Sequence, residues 1–181
     1  NLAQTAGTNL DSQAALVTEF DVNGLKVLVK RRPNSQTVAA GLFIRGGTRN
    51  LTAQNAGIEN LMLSAATEGS QKFPREVLRR ELAKTGSSIN SGSNYDYSVL
   101  ALASTKQAFD RSWEIFTDVA INPAFAPNDV ELTREKVLTG LRSSQDDPDG
   151  YLQVLVEKTI NAKTFYENDP GGTIENISSF K

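Results

Sequence analysis

The chain has 181 residues, with 19 Lys+Arg against 21 Asp+Glu and a formal net charge of -2. It is long enough to bury a sizeable core, and too evenly charged to neutralise a phosphate backbone, so a nucleic-acid partner is excluded. It has no Cys and no His, which excludes disulfides, thiolate nucleophiles, imidazole bases and any Cys- or His-ligated metal centre within the chain.

Asn1–Ala14 is polar and small, and reads as a flexible N-terminal extension over residues 1–14. Leu16–Asp21 and Leu25–Lys30 flank Val22-Asn23-Gly24, and Asn-Gly is the favoured pair for a tight primed hairpin turn. Thr37–Arg45 is mostly apolar, which predicts a third strand in a central position. The longest apolar runs, Val38–Ile44 and Val99–Ala103 among them, are far too short to span a bilayer, so no transmembrane segment is expected.

Ile58, Leu61, Met62, Ala65 and Ala66 recur at helical spacing and predict one buried stripe. Pro74 suits the first turn of a second helix over Pro74–Lys84, with Gly86 at its C-terminal cap. Ser87–Ser93 and Tyr95–Ser104 read as two more strands. Ser104 and Gln107 give a capping-box signal for a third helix with Phe109, Trp113, Phe116 and Ala120 inward. A fourth helix is expected from about Asn128 to Ser143, then a turn at Asp146–Gly150 and a fifth helix over Tyr151–Asn161. Thr173–Phe180 looks like the start of a further structured element. The class expected is α+β, a mainly antiparallel sheet covered by helices, in a single domain over residues 15–181 that is truncated at its C-terminal end.

The order of these pieces resembles the pitrilysin/insulinase family of zinc peptidases. FDVNGLKVLVKRRP, VAAGLFIRGGTRN, GIENLMLSAATEGS, the stretch from FPREVLRRELAKTG through SINSGSNYDYSVLALAS, and FAPNDVELTREKVLTGLRSSQDDPDGYL follow one another as in that family. The resemblance covers roughly residues 16 to 181 and implies a metalloprotease-like half-subunit. In the family, two His and a Glu in an H-x-x-E-H helix, with a Glu on a later helix, hold zinc and its water. The matching positions here are Asn60, Leu63, Ser64 and Gly140, none of which can replace its counterpart. No catalytic residue, metal site or cofactor is therefore expected.

The resemblance then implies a non-catalytic homologue acting in peptide binding or assembly beside an active zinc metalloendopeptidase subunit of the same fold. The alternative is a purely structural subunit of a larger complex, a membrane-associated one included. Relatives bind peptide as an added strand, and the matching segment is Ser88, Ile89, Asn90 and Ser91. An open strand edge also invites self-association. The bacterial periplasm is favoured slightly over the mitochondrion.

Plainer readings stand beside these. Asn60, Leu63, Ser64 and Thr67 could be a solvent-facing helix side with one stray Leu. Asp146, Asp147 and Asp149 suit a capping turn better than a calcium loop, because Pro148 interrupts any ligand ladder. Gly46-Gly47-Thr48 suits a turn better than a phosphate nest, and Arg75, Arg79 and Arg80 suit a solvated helix face.

Overall fold

The structure is a computed structural model that describes residues 14–181. Of the extension read over residues 1–14, all but Ala14 lies outside the described residues. The described residues divide into two compact units, one ending at Gln36 and the other Thr37–Lys181.

The first unit holds a hairpin of β1 (Val17–Val22) and β2 (Leu25–Lys30). Asn23 and Gly24 both take positive φ, 52° and 87°, as a primed two-residue turn requires. The Asp21 carboxylate accepts the Gly24 N–H at 2.8 Å. Phe20 pairs with Val27 and Val22 with Leu25, so one face of the hairpin is apolar.

The second unit holds a three-stranded antiparallel sheet of β3 (Thr37–Arg45), β4 (Ser88–Ser93) and β5 (Tyr97–Thr105), in the order β3-β5-β4. The central strand is thus β5, not β3 as the apolar run predicts. Asn94–Asp96 turns β4 back onto one side of β5, and β3 takes the other side. Alternate residues of β5, including Leu100 and Leu102, are buried, whereas Phe43 of β3 is 68% exposed.

Six helices accompany this sheet: α1 (Ile58–Ala66), α2 (Arg75–Thr85), α3 (Phe109–Ile121), α4 (Pro127–Asp146), α5 (Pro148–Ile160) and α6 (Ile174–Ser179). Two of their caps, at Gly86 and in the turn Asp146–Gly150, stand where the sequence places them. Gly86 caps α2 at φ 62°, Asp147 caps α5 by accepting the Gly150 N–H, and Thr173 caps α6.

Two more expectations fail here. The first is the single buried stripe on α1. Leu63 joins a core with Leu100, Leu102 and Phe116, while Leu61 joins another with Leu138 and Ile177. These two residues point to opposite sides of one helix, because two residues turn the helix by about 200°. So α1 is packed on both sides, and Ile58 and Met62 are the exposed ones. The second is the Ser104 capping box. β5 runs on to Thr105, and Ser104 bonds Ser112 at 2.9 Å inside the sheet–helix interface. The Ala108 N–H goes to the Thr105 hydroxyl at 3.2 Å instead. The core side of α3 is Ile115, Phe116 and Val119, and Trp113 is half exposed.

Asp118 is the buried carboxylate of this unit. It accepts the Lys72 N–H at 3.0 Å and the Asn122 amide at 2.9 Å. Burial pushes its pKa up, but the donors Ser70, Asn122 and Lys72 outweigh that and hold it below the usual range. A depressed carboxylate stabilises the fold above its unfolded pKa, and that stability is lost as pH falls through the folded value. Asp118→Ala should therefore cost about 2 kcal/mol at pH 7, through unsatisfied buried donors. In urea denaturation the gap between wild type and variant should narrow as pH falls into the acid range. A gap independent of pH would contradict it.

Candidate functional site

The site lies where α1, β4 and α4 meet. Ser64 on α1, Thr67 and Glu68 just past its C-terminal end, Ile89, Asn90 and Ser91 on β4, and Thr133, Lys136 and Val137 on α4 line a shallow groove of about 360 Å³. One vestigial position, Ser64, thus sits in the same groove as three of the four expected edge residues. Ser88 lies further along β4, outside the lining. Asn60 is one helical turn before Ser64, half buried, and Gly140 is one turn beyond Lys136 and Val137 on α4.

The register decides which backbone groups of β4 are open. Asn94 donates to the Tyr97 carbonyl at 2.8 Å, so Asn94 and Tyr97 form a hydrogen-bonded pair. In an antiparallel ladder such pairs alternate, so Gly92, Asn90 and Ser88 also bond to β5. The N–H and C=O groups of Ile89 and Ser91 then point away from β5, toward the outer edge. Their side chains lie on the helix-facing side of the sheet, opposite Leu102 and Leu100. The expected segment is therefore split: Ile89 and Ser91 offer an edge, while Ser88 and Asn90 are spent on the ladder.

A carboxylate with three cations closes one end. Glu68 contacts Arg75 at 3.3 Å, Arg79 at 3.3 Å and Lys136 at 2.7 Å, and Arg75 also holds Asp129 at 2.7 Å. The hydrogen bond to Asp129 raises the Arg75 pKa against its burial, with Glu68 adding to the rise. The arginine face of α2 is therefore not simply solvated. The Arg75 side chain is only 16% exposed and ties α2 to the segment that follows α1 and to α4. Periodicity within α2 carries no trace of Asp129, which lies far along the chain. Lys136 and Thr133 are missed in the sequence, and their helical spacing from Gly140 is the one signal that points to them.

The other candidates resolve as structure. The Gly47 N–H is taken by the protein's own Glu59 carboxylate at 3.0 Å, so no external anion is needed there. Asp147 is occupied as the α5 cap. Among the described residues no three His, Cys, Asp or Glu side chains are grouped to hold a metal ion. Among them also, no helix is long and apolar enough to cross a membrane.

A family model described as Insulinase (Peptidase family M16) matches residues 26–176. The chain belongs to the insulinase family, peptidase family M16. Among curated relatives, the "Probable mitochondrial-processing peptidase subunit beta" of Schizosaccharomyces pombe is 25% identical over 161 residues, 87% of this chain and 34% of that protein. The mouse "Cytochrome b-c1 complex subunit 1, mitochondrial" is 23% identical over 143 residues, 79% of this chain and 29% of that one. The crystal structure of a peptidase M16 inactive domain from Pseudomonas fluorescens superposes with a TM-score of 0.81 at 17% identity, covering 91% of this chain and 40% of that chain. The chain thus spans about a third of the length of the curated relatives it matches. The α+β fold with antiparallel sheets is the fold of this family.

The zinc that the family implies does not fit the matched positions. Asn60 is a weak ligand, Ser64 binds zinc poorly, and Gly140 has no side chain; a Cβ placed there would meet open space. Leu63, at the position that the resemblance matches to the general base, is 4% exposed and packed in the core. Neither a ligand set nor a base is assembled between α1 and α4.

Proposed function

We propose that this chain is a non-catalytic homologue of the zinc peptidases, acting in peptide binding or assembly beside an active zinc metalloendopeptidase subunit of the same fold. The observation that carries this is the groove. It sets the open backbone of Ile89 and Ser91 beside Ser64, the one matched motif position in its lining, and beside Thr133 and Lys136 of α4. An extended peptide added there gains main-chain hydrogen bonds from the edge and side-chain contacts from the helices. Hydrolysis needs a metal or a base to activate water, and Leu63 supplies neither. Subunit names among the relatives, a processing-peptidase beta subunit and a cytochrome b-c1 subunit, support a place in an assembly.

Ser91→Pro is the sharpest test. Pro removes the outward N–H at a position where an edge strand tolerates it. Wild type should bind members of a panel of labelled extended peptides in anisotropy titrations. The variant should bind them at least about tenfold more weakly, with an unchanged urea midpoint. Light scattering on both proteins separates peptide binding from pairing of two β4 edges, since self-association would also fall in the variant. A wild type that binds no extended peptide, and that neither joins nor activates a subunit carrying the zinc motif, would overturn the proposal.

A further inference from the structure

The groove has a charge that its strand edge does not need. Its two charged lining residues are Glu68 and Lys136. Glu68 is already neutralised without Lys136, because Arg75 and Arg79 both reach its Oε2 while Lys136 takes Oε1. Within the set Glu68, Asp129, Arg75, Arg79 and Lys136, three cations face two carboxylates. Lys136 is the cation free to leave. Its side chain is 53% exposed, as is that of Arg79 at 54%, but of the two only Lys136 lines the groove; the Arg75 side chain is 16% exposed and locked by two carboxylates.

Geometry brings that cation to a peptide. A strand paired with Ile89 and Ser91 sends alternate side chains to the helix-facing side of the sheet, where α4 presents Thr133, Lys136 and Val137. An acidic side chain at that register exchanges one carboxylate for another at Lys136. Glu68 keeps its two arginines, so no charge is left unpaired. A basic side chain there would meet Lys136 and the arginines behind it. We propose that Lys136 is a specificity-determining residue, and that the groove selects extended peptides carrying Asp or Glu at the position facing α4. This rests on the strand-addition reading of β4 given above.

The test uses the full chain and three synthetic extended peptides, identical except for Glu, Gln or Lys at one position scanned along the sequence. Wild type should bind the best Glu peptide about three- to tenfold more tightly than its Gln counterpart, and the Lys peptide most weakly. Raising the salt concentration should shrink that preference. Lys136→Glu should reverse the order and favour Lys. Lys136→Gln should level the three. Should the wild type bind Glu, Gln and Lys peptides equally, the charge selection is wrong and strand addition still stands. If none of the three binds, the strand-addition reading itself fails. A preference for Glu that survives Lys136→Glu would also overturn the assignment, by placing selectivity elsewhere.

Discussion

Leu63→Glu, which puts a glutamate where the family resemblance matches the general base, should destabilise the fold by about 4 kcal/mol or more rather than restore chemistry. Leu63 is 4% exposed and packs with Leu100, Leu102 and Phe116. Removing a buried leucine side chain alone costs about 2–5 kcal/mol, and a carboxylate placed among these apolar neighbours adds its desolvation. Burial raises the folded pKa of such a glutamate above the unfolded value of about 4.3. The penalty is then smallest in acid, where the group is protonated in both states. It grows as pH rises from the unfolded pKa through the folded one. Urea midpoints at pH 4 and pH 8 should show the deficit widening with pH. Leu63→Met keeps volume and apolarity and should cost under about 1.5 kcal/mol. A Leu63→Glu protein as stable as wild type at pH 8 would mean that position 63 opens onto the groove, and the account of the lost base would need rebuilding.

That prediction depends on something local periodicity misjudges. One apolar stripe is the expectation for a helix lying on a surface, and α1 is instead gripped from two sides. The sequence shows Leu61 and Leu63 plainly, but not that both faces have a partner. The same blindness explains Arg75. Three arginines on one helix look solvated until α4 delivers Asp129 from another part of the chain. Features set by a few adjacent residues were legible: the Asn23-Gly24 turn, the Gly86 cap and the Asp147 cap ahead of Pro148. The order of such features carried the family resemblance, and the family match over residues 26–176 agrees with it. At the groove, the segment Ser88–Ser91 was visible as a strand. Which of its backbone groups are free was not, because that depends on the phase of the ladder with β5. Lys136 remained hidden because its role comes from Glu68 on another helix end.

Gly47→Ala is the second large effect, and it tests how α1 is held in place. Gly47 has φ 67°, in the left-handed region, and an added Cβ would lie 2.1 Å from the Asn94 carbonyl oxygen and 2.6 Å from that of Tyr95. Both obstacles are backbone of the β4–β5 turn, which cannot swing aside as a side chain would. The turn is itself bound to this segment: the Gly46 N–H donates to Asp96 O at 3.1 Å, and the Arg49 N–H to Tyr95 O at 3.1 Å. On the other side, the Gly47 N–H and the Ser98 hydroxyl donate to Glu59 Oε2 at 3.0 Å and 2.6 Å. Glu59 belongs to the first turn of α1, so moving Gly47 strains β3, the β4–β5 turn and the start of α1 together. Relieving a backbone overlap of this size should cost at least about 3 kcal/mol. Glu59→Gln keeps the shape and can still accept one hydrogen bond, so it should cost only about 1–2 kcal/mol. The two should be less than additive, since Gly47→Ala already displaces the N–H that Glu59 receives. Chemical denaturation of both single variants and the double variant gives the three values. If Gly47→Ala lost under about 1 kcal/mol, the close approach to Asn94 would not be a feature of the folded protein, and Glu59 would be an ordinary first-turn acid of α1.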